Sequence, residues 1–551
     1  MAETNDRRAQ MFPPLSPAQI TRLSKLGRRR SVKKGEILFD QGDADPSFFV
    51  VLTGAIEIVQ PVEGGEQRVT MHLPHEFTGE INMLTGRRSL VRGRVAEDGE
   101  LLVIDSNALR TLVQTDAEVS ELLMRAFILR RTALIAKAQG DATLVGSRHS
   151  AGTLRIKEFL TRNGHPYTYL DVERDECVQA LLDRFHVQVT DVPVLICRGE
   201  RVLRNPTDAE VAECLGFNRA IDESVVRDLV VVGAGPAGLA AAVYGASEGL
   251  DVLVLEATAP GGQAGSSSKI ENYLGFPTGI SGEALAGRAF TQAEKFGAEI
   301  SITRVAKSLD CSKLPYSIAL EGGGAIQARA VVIATGARYR KLPLAELSRF
   351  EGRGIYYGAT AVEAQLCEGE AVVIVGGGNS AGQAAVFLAR SVRHVHLVVR
   401  AEGLAASMSR YLIRRIEESP SITLHTRTEI EALLGKDELQ EVRWRDAAKP
   451  ASETHAIRHL FLMTGASPNT AWVKGCIALD AKDFVKTGQD LLADDLKAAH
   501  WQLQRAPYLL ETSLPGVFAV GDVRSGSVKR VASAVGEGSI CIQLVHKVLA
   551  D

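Results

Sequence analysis

No two of the seven cysteines, Cys177, Cys197, Cys214, Cys311, Cys367, Cys476 and Cys541, stand at C-x-x-C spacing. A local dithiol is therefore excluded, and buried, reduced thiols of a cytoplasmic protein are the expectation. An excess of charge is missing as well. There are 63 Lys and Arg against 66 Asp and Glu, and a formal net charge of -3 offers no field to draw nucleic acid or an anionic membrane. The opening MAETNDRRAQ lacks the apolar stretch of a secretory signal. The uncharged run Leu229 to Ala246 has the length of a membrane span, but four glycines and a proline at regular places argue against one. His72 and His75 form an H-x-x-H with no further ligand nearby, so no metal is expected.

What the chain does have is glycine in ordered places. From Asp228 to Glu256 it reads DLVVVGAGPAGLAAAVYGASEGLDVLVLE. The apolar run predicts a buried parallel strand, Gly233-x-Gly235-x-x-Gly238 opens a helix through Pro236 and Ala237, and Val252 to Leu255 predicts a second strand closed by Glu256. Gly233 allows a tight turn, Gly235 lets the backbone come close to a pyrophosphate, and Gly238 lets the helix pack on the strand. The helix N-terminus offers N–H groups to the phosphates. Glu256, 18 residues after Gly238, is spaced to accept from a ribose hydroxyl. A second unit follows, with strand Ala371 to Val375, turn Gly376-x-Gly378-x-x-Ala381 and strand His394 to Val399. No acid closes it. Arg400, with Arg410 nearby, suits a 2′-phosphate, so NADPH is expected over NADH.

At 551 residues, 45% hydrophobic and 23% charged, the chain has material for three or four globular domains. Residues 1–140 alternate short β-rich runs with glycine and aspartate turns, as in a small barrel, and close with a helical pattern from Ala117 to Ala138. Arg28, Arg29 and Arg30 read as a solvated face. The pattern Gly35-Glu36, Gln41-Gly42, Gly54, together with FTGEINMLTGRRSL, resembles the cyclic nucleotide-binding domains. That resemblance implies Gly79 and Glu80 at a ribose 2′-hydroxyl, and Arg88 with the Ser89 backbone on a cyclic phosphate. The loop is one residue shorter than the usual cassette. The module is then either a nucleotide site or a barrel kept for docking or dimerisation.

Residues 143–216 read as helix, strand, helix, hairpin and helix, and resemble the thioredoxin or glutaredoxin fold, with Val192-Pro193 in the place of that family's cis-proline. Where that family carries C-x-x-C, this chain has Ser147-Arg148-His149-Ser150, read as N-cap and first-turn polar residues. Residues 216–227 read as a charged linker. Beyond it, GAGPAG, GGQAG, IENYLGFP, VVIATGA, GGGNSA, TGASPNT, GVFAVGD and KRVASAVGEG occur in one order that is similar to the low-molecular-weight thioredoxin reductases.

The resemblance implies an FAD-binding domain in two pieces, 226–343 and 458–551, around an NAD(P)H-binding domain at 344–457. The chain is thus expected to be multidomain: a β-barrel cyclic nucleotide-binding-like domain, an α/β thioredoxin-like domain, and two Rossmann-like α/β nucleotide-binding domains. FAD would meet Gly233, Gly235, Pro236, Ala237, Gly238, Glu256, Gly262, Gln263, Asn272, Gly336, Gly521, Asp522, Arg530 and Val531. NADPH would meet Gly376, Gly378, Asn379, Ser380, Ala381, Arg400 and Arg410. A homodimer is implied, and no catalytic acid or base is assigned, because the cofactor does the chemistry. One departure stands out. The family's redox pair lies in Tyr-Cys-Ala-Thr-Cys, and this chain reads Tyr357-Gly358-Ala359-Thr360-Ala361, with only a lone Cys367 six residues beyond. The expected function is an NADPH-dependent FAD oxidoreductase that passes electrons to an unidentified acceptor, with a cyclic nucleotide as regulator. The alternatives are a redox or nucleotide sensor with little turnover, or a thioredoxin-disulfide reductase using a thiol elsewhere.

Overall fold

The computed structural model describes residues 8–62, 65–137, 140–175, 178, 182–183, 191–267, 269–270, 272–344, 346–351, 353–359, 361–436, 438–449 and 451–550, so Ala138, Cys177 and Thr360 lie outside the described residues. Near the N-terminus, Phe48–Val62 and Arg92–Ile104 pair antiparallel at the centre of a five-stranded sheet, flanked by Arg28–Val32 and Gly65–His72. Successive side chains of a strand face opposite ways. Phe48 and Val50 accordingly join one core, with Phe77 and Phe127, while Phe49 and Val51 join another. Helix Ala117–Ala136 starts where the Asp116 carboxylate accepts the Val119 N–H, and it delivers Phe127 into the first core.

The next unit is a mixed sheet in the order Tyr167–Asp171, Ala142–Gly146, Val194–Cys197, Arg201–Arg204. Its first pair is parallel and the others antiparallel. Helix α1 (Ala151–Arg162) joins the parallel pair, capped by Ser150, and the Val192–Pro193 peptide is cis. Ser147 donates to Glu173 at 2.5 Å, and His149 Nε2 accepts from Arg148, so the lead-in residues serve the turn. The segment read as a charged linker is fastened down instead. Phe217 stacks on Phe159, and Asn218 bonds both the N–H and the carbonyl of Ile302. Its apolar and amide side chains, rather than its net charge, set its place.

The third sheet holds the parallel strands Glu299–Ile302, Val252–Glu256, Val226–Val232, Ala325–Ile333 and Val517–Ala519, extended by an antiparallel hairpin of Ala306–Asp310 and Tyr316–Leu320. Strands buried on both faces read as unbroken apolar runs, as LVVV and VLVL do. Helices α2 (Pro236–Ser247) and α5 (Val531–Ala550) cover one face, so close that a Cβ on Gly538 would lie 2.1 Å from the Ala237 carbonyl oxygen. Helix α3 (Gly282–Lys295) packs beside α2. A second parallel sheet, in the order Ile355–Tyr356, His459–Leu462, Ala371–Val375, His394–Val398, Ile422–His425, carries α4 (Asn379–Leu388) and is inserted between the two pieces of the third. Strands Ala337–Tyr339 and Ala466–Pro468 pair where the chain leaves and re-enters the third sheet.

The cysteine expectation needs correction. Cys197 is bonded to Cys214, and Cys311 to Cys476, while Cys367 and Cys541 are buried thiols. Both pairs meet through tertiary packing, across 17 and 165 residues of chain. Among the described residues, no helix is long and apolar enough to cross a membrane.

Candidate functional site

A cavity of about 1230 Å³ runs along the carboxyl ends of the third sheet and reaches the inserted one. Its floor is two glycine turns. Gly233 sits at φ +106°, where a Cβ would lie 2.4 Å from the Ala334 carbonyl oxygen, and a Cβ on Gly238 would lie 1.8 Å from the carbonyl oxygen of Gly233. Gly262 approaches Gly235 so nearly that its own Cβ would stand 3.0 Å from the Gly235 Cα. Gly235 is the N-cap of α2, so the free N–H groups of that helix face this passage. A diphosphate fits such a bare backbone cradle, and a side chain would fill it.

Of the residues expected at FAD, Gly233, Gly235, Pro236, Ala237, Glu256, Gly262 and Gln263 line this cavity. So do Asn272, Gly336, Gly521, Asp522, Arg530 and Val531. Gly238 does not, because it is spent on the helix–strand contact. Glu256 is 9% exposed, and its carboxylate already accepts from the N–H groups of Ala234, Thr258 and Ala259. It therefore stiffens the turn as well as facing the cavity. Gln263 donates to the Ala337 carbonyl. Burial pushes the Asp522 carboxyl up, against the opposing pull of Lys529. A neighbouring wall brings Asn379 and Ser380 from the start of α4 to the same cavity. Asn379 accepts from the Ser409 N–H, which ties that turn to the loop before Arg410. Gly376 is at φ +145° with the Met463 carbonyl 2.2 Å from a would-be Cβ, Gly378 caps α4, and Ala381 is buried behind it. Arg400 and Arg410 are exposed, and neither has an ion-pair partner among the described residues.

The turn that would hold the redox pair also lines the cavity. A Cβ on Gly358 would lie 3.7 Å from Ser266 Oγ, so the turn faces the loop after Gly262 with no sulfur in it. Cys367 lies fully buried in the core of the inserted unit, where burial pushes its thiol up. Neither disulfide lines the cavity.

The barrel's candidate residues are placed differently from one another. Gly79 is at φ +105°. Glu80 is held 3.7 Å from Arg131, with burial raising its carboxyl. Arg88 is exposed and leans on Gly216, and the Ser89 N–H already donates to the Asp43 carbonyl. Arg87 is the buried one, donating to the Asn163 carbonyl between the rings of Phe217 and Phe290. Sequence reasoning missed Arg87, and also Arg130 and Arg131. The only available signal for the last pair was two charges inside an apolar helical pattern.

Residues 227–538 match the family described as "Pyridine nucleotide-disulphide oxidoreductase", and residues 29–116 match "Cyclic nucleotide-binding domain". The chain is 30% identical over 324 residues to thioredoxin reductase of Mycoplasma genitalium, covering 59% of this chain and 96% of that one. It is 32% identical over 316 residues to the Streptomyces clavuligerus enzyme of the same name, covering 57% and 91%. Against "NADPH-dependent thioredoxin reductase 3" of Arabidopsis thaliana it is 30% identical over 370 residues and spans 66% of that relative. Lactococcus lactis thioredoxin reductase superposes with a TM-score of 0.52 at 26% identity, over 59% of this chain and 99% of that one.

Proposed function

The chain belongs to the pyridine nucleotide-disulphide oxidoreductase family, and on that premise we propose that it takes electrons from NADPH through FAD to an acceptor that is not a disulfide of its own. It is an NADPH-dependent flavoprotein oxidoreductase with FAD and NADPH as cofactors. When bound, FAD supplies hydride acceptance from nicotinamide and onward electron release. The protein's part is to hold and orient. The N–H groups at the start of α2 would hold the diphosphate, Asn272 and Asp522 line the wall along which the rest of FAD would lie, and Asn379 and Ser380 would hold the second nucleotide over the same space. Arg400 and Arg410 are free to take a 2′-phosphate, which favours NADPH.

The observation that carries the reading is Gly358, a sulfur-free turn on the flavin cavity. A reductase working through Cys367 is disfavoured by the burial of that thiol, since only a thiolate attacks. The acceptor is then a small molecule or an electron-transfer partner, or a partner whose own disulfide reaches the cavity. The barrel is proposed to regulate this step through a cyclic nucleotide, supported by the match at 29–116 and by the contact of its cassette with α3 through Arg87 and Phe290. Residues 143–216 are read as a thioredoxin-like unit, a reading supported by the strand order and cis-Pro193, and the assembly as a homodimer. Anaerobic titration with NADPH, read as loss of the flavin's visible absorbance, tests the core of this. Absence of bleaching would sink the enzyme, disulfide reduction that is lost in Cys367→Ser would restore a route through that thiol while reduction that survives would close it, and a bleaching rate indifferent to cyclic nucleotides would remove the regulation.

A further inference from the structure

The thioredoxin-like unit has no C-x-x-C, yet it sits against the cavity. Helix α1 has two working faces. Thr153, Ile156, Phe159 and Leu160 are buried, and the last three pack into the unit's own core. Ala151, Leu154, Arg155, Glu158 and Arg162, spaced as one stripe of a 3.6-residue helix, form a wall of the cavity. Both Arg155 and Arg162 are cations on that wall, but they are committed differently. Arg155 is taken by Asp208 and the Pro206 carbonyl, both within its own unit. Arg162 reaches across instead and donates to the Gly262 carbonyl at 3.0 Å.

Gly262 is the residue that closes on Gly235 in the glycine cradle, so the guanidinium stands beside the passage suited to a diphosphate. Its Nε is buried without a hydrogen-bond partner among the described residues, and the carboxylate it meets there, that of the exposed Glu158, is 3.5 Å away. A planar guanidinium with spare donors beside a bare backbone cradle is the arrangement that recognises phosphate oxygens. The placement is rigid. Asn163, next in the chain, donates to the Thr258 carbonyl, and Phe217 and Asn218 anchor the far side of the unit.

We propose that this unit, which carries no C-x-x-C and whose Cys197–Cys214 bond lies off the cavity, is a fixed wall of the flavin site, in which Arg162 of α1 is a positioning cation for the FAD diphosphate, so that the unit clamps the cofactor instead of relaying electrons. This rests on the flavoenzyme reading above. By linkage, a ligand that binds the wall steadies the wall.

The test uses the full chain, stripped of flavin and titrated with FAD and with riboflavin, which has no diphosphate, by quenching of flavin fluorescence. Arg162→Ala weakens FAD binding tenfold or more and leaves riboflavin binding unchanged, and Arg162→Lys, which keeps the charge but not the fork, falls between. Unchanged FAD affinity in Arg162→Ala overturns the proposal, and so does an equal loss for FAD and riboflavin, which reports a damaged fold. Wild-type protein supplies an independent readout: ADP, the diphosphate half without the isoalloxazine, slows hydrogen exchange in 151–162. No slowing overturns the clamp. Wild-type protein that takes up no FAD at all would instead overturn the proposed function.

Discussion

Glu294 shows how far a single residue can depart from what its neighbours suggest. It faces Arg87, Arg219 and Arg131, but burial dominates and pushes its carboxyl up to about 8, with Oε2 left without a hydrogen-bond partner. A folded pKa above the unfolded one means that the protonated form is the stable one. The benefit is complete below about pH 4.3 and is lost as pH rises towards 8. Glu294→Gln is therefore expected to melt like wild type near pH 5 and several degrees higher near pH 8, a comparison that scanning fluorimetry across pH 5–9 checks. Arg400→Ala is expected to raise KM for NADPH on the order of tenfold while KM for NADH stays level, because only the former carries the 2′-phosphate. Steady-state kinetics with both coenzymes decides it. Sequence reading could mark an arginine pair in the cassette, but not which member turns inward. The left-handed Gly86 and the bond from Asn82 to the Arg88 carbonyl settle that Arg87 is buried and Arg88 exposed.

Elements carry information that single residues lack. The strand–glycine turn–helix units were legible because their signal is local: where a Cβ would strike a carbonyl oxygen, only glycine fits, and the spacing follows from the geometry of the turn. Gly238→Ala is accordingly expected to yield protein purified without flavin and with a lowered melting temperature, a loss of several kcal/mol by overpacking, and absorbance with thermal melting checks it. Retention of flavin at an unchanged melting temperature would contradict the packing described. Helix α1 was legible as the helix that opens residues 143–216. Its cavity-lining stripe was not legible, since nothing in the spacing of Arg155, Glu158 and Arg162 reveals that a cavity lies over them. Helix α3 is similar. Its start is pressed against the flavin loop, where a Cβ on Gly282 would lie 1.8 Å from the Ala264 carbonyl oxygen, and its end touches the barrel through Phe290 and Glu294.

At the scale of the whole molecule, the units are joined by buried polar contacts. Arg87 of the barrel is stacked between Phe217 and Phe290 and bonds the Asn163 carbonyl, touching three segments at once. Arg87→Ala is expected to cost roughly 2–4 kcal/mol, because it removes a buried cation and leaves its partners unpaired. It should also loosen the barrel, with limited proteolysis cutting faster between residues 116 and 227 while FAD stays bound. By itself the sequence determined the order of the units, both nucleotide turns, the expected cofactors and the absence of any C-x-x-C, because each of these is written in neighbouring residues. Only the tertiary structure decided that Cys197 meets Cys214 and Cys311 meets Cys476, that Gly358 faces the cavity while Cys367 is buried, and that one stripe of α1 lines that cavity. The physical reason is distance along the chain: these contacts join residues that no local periodicity links, and packing alone selects them.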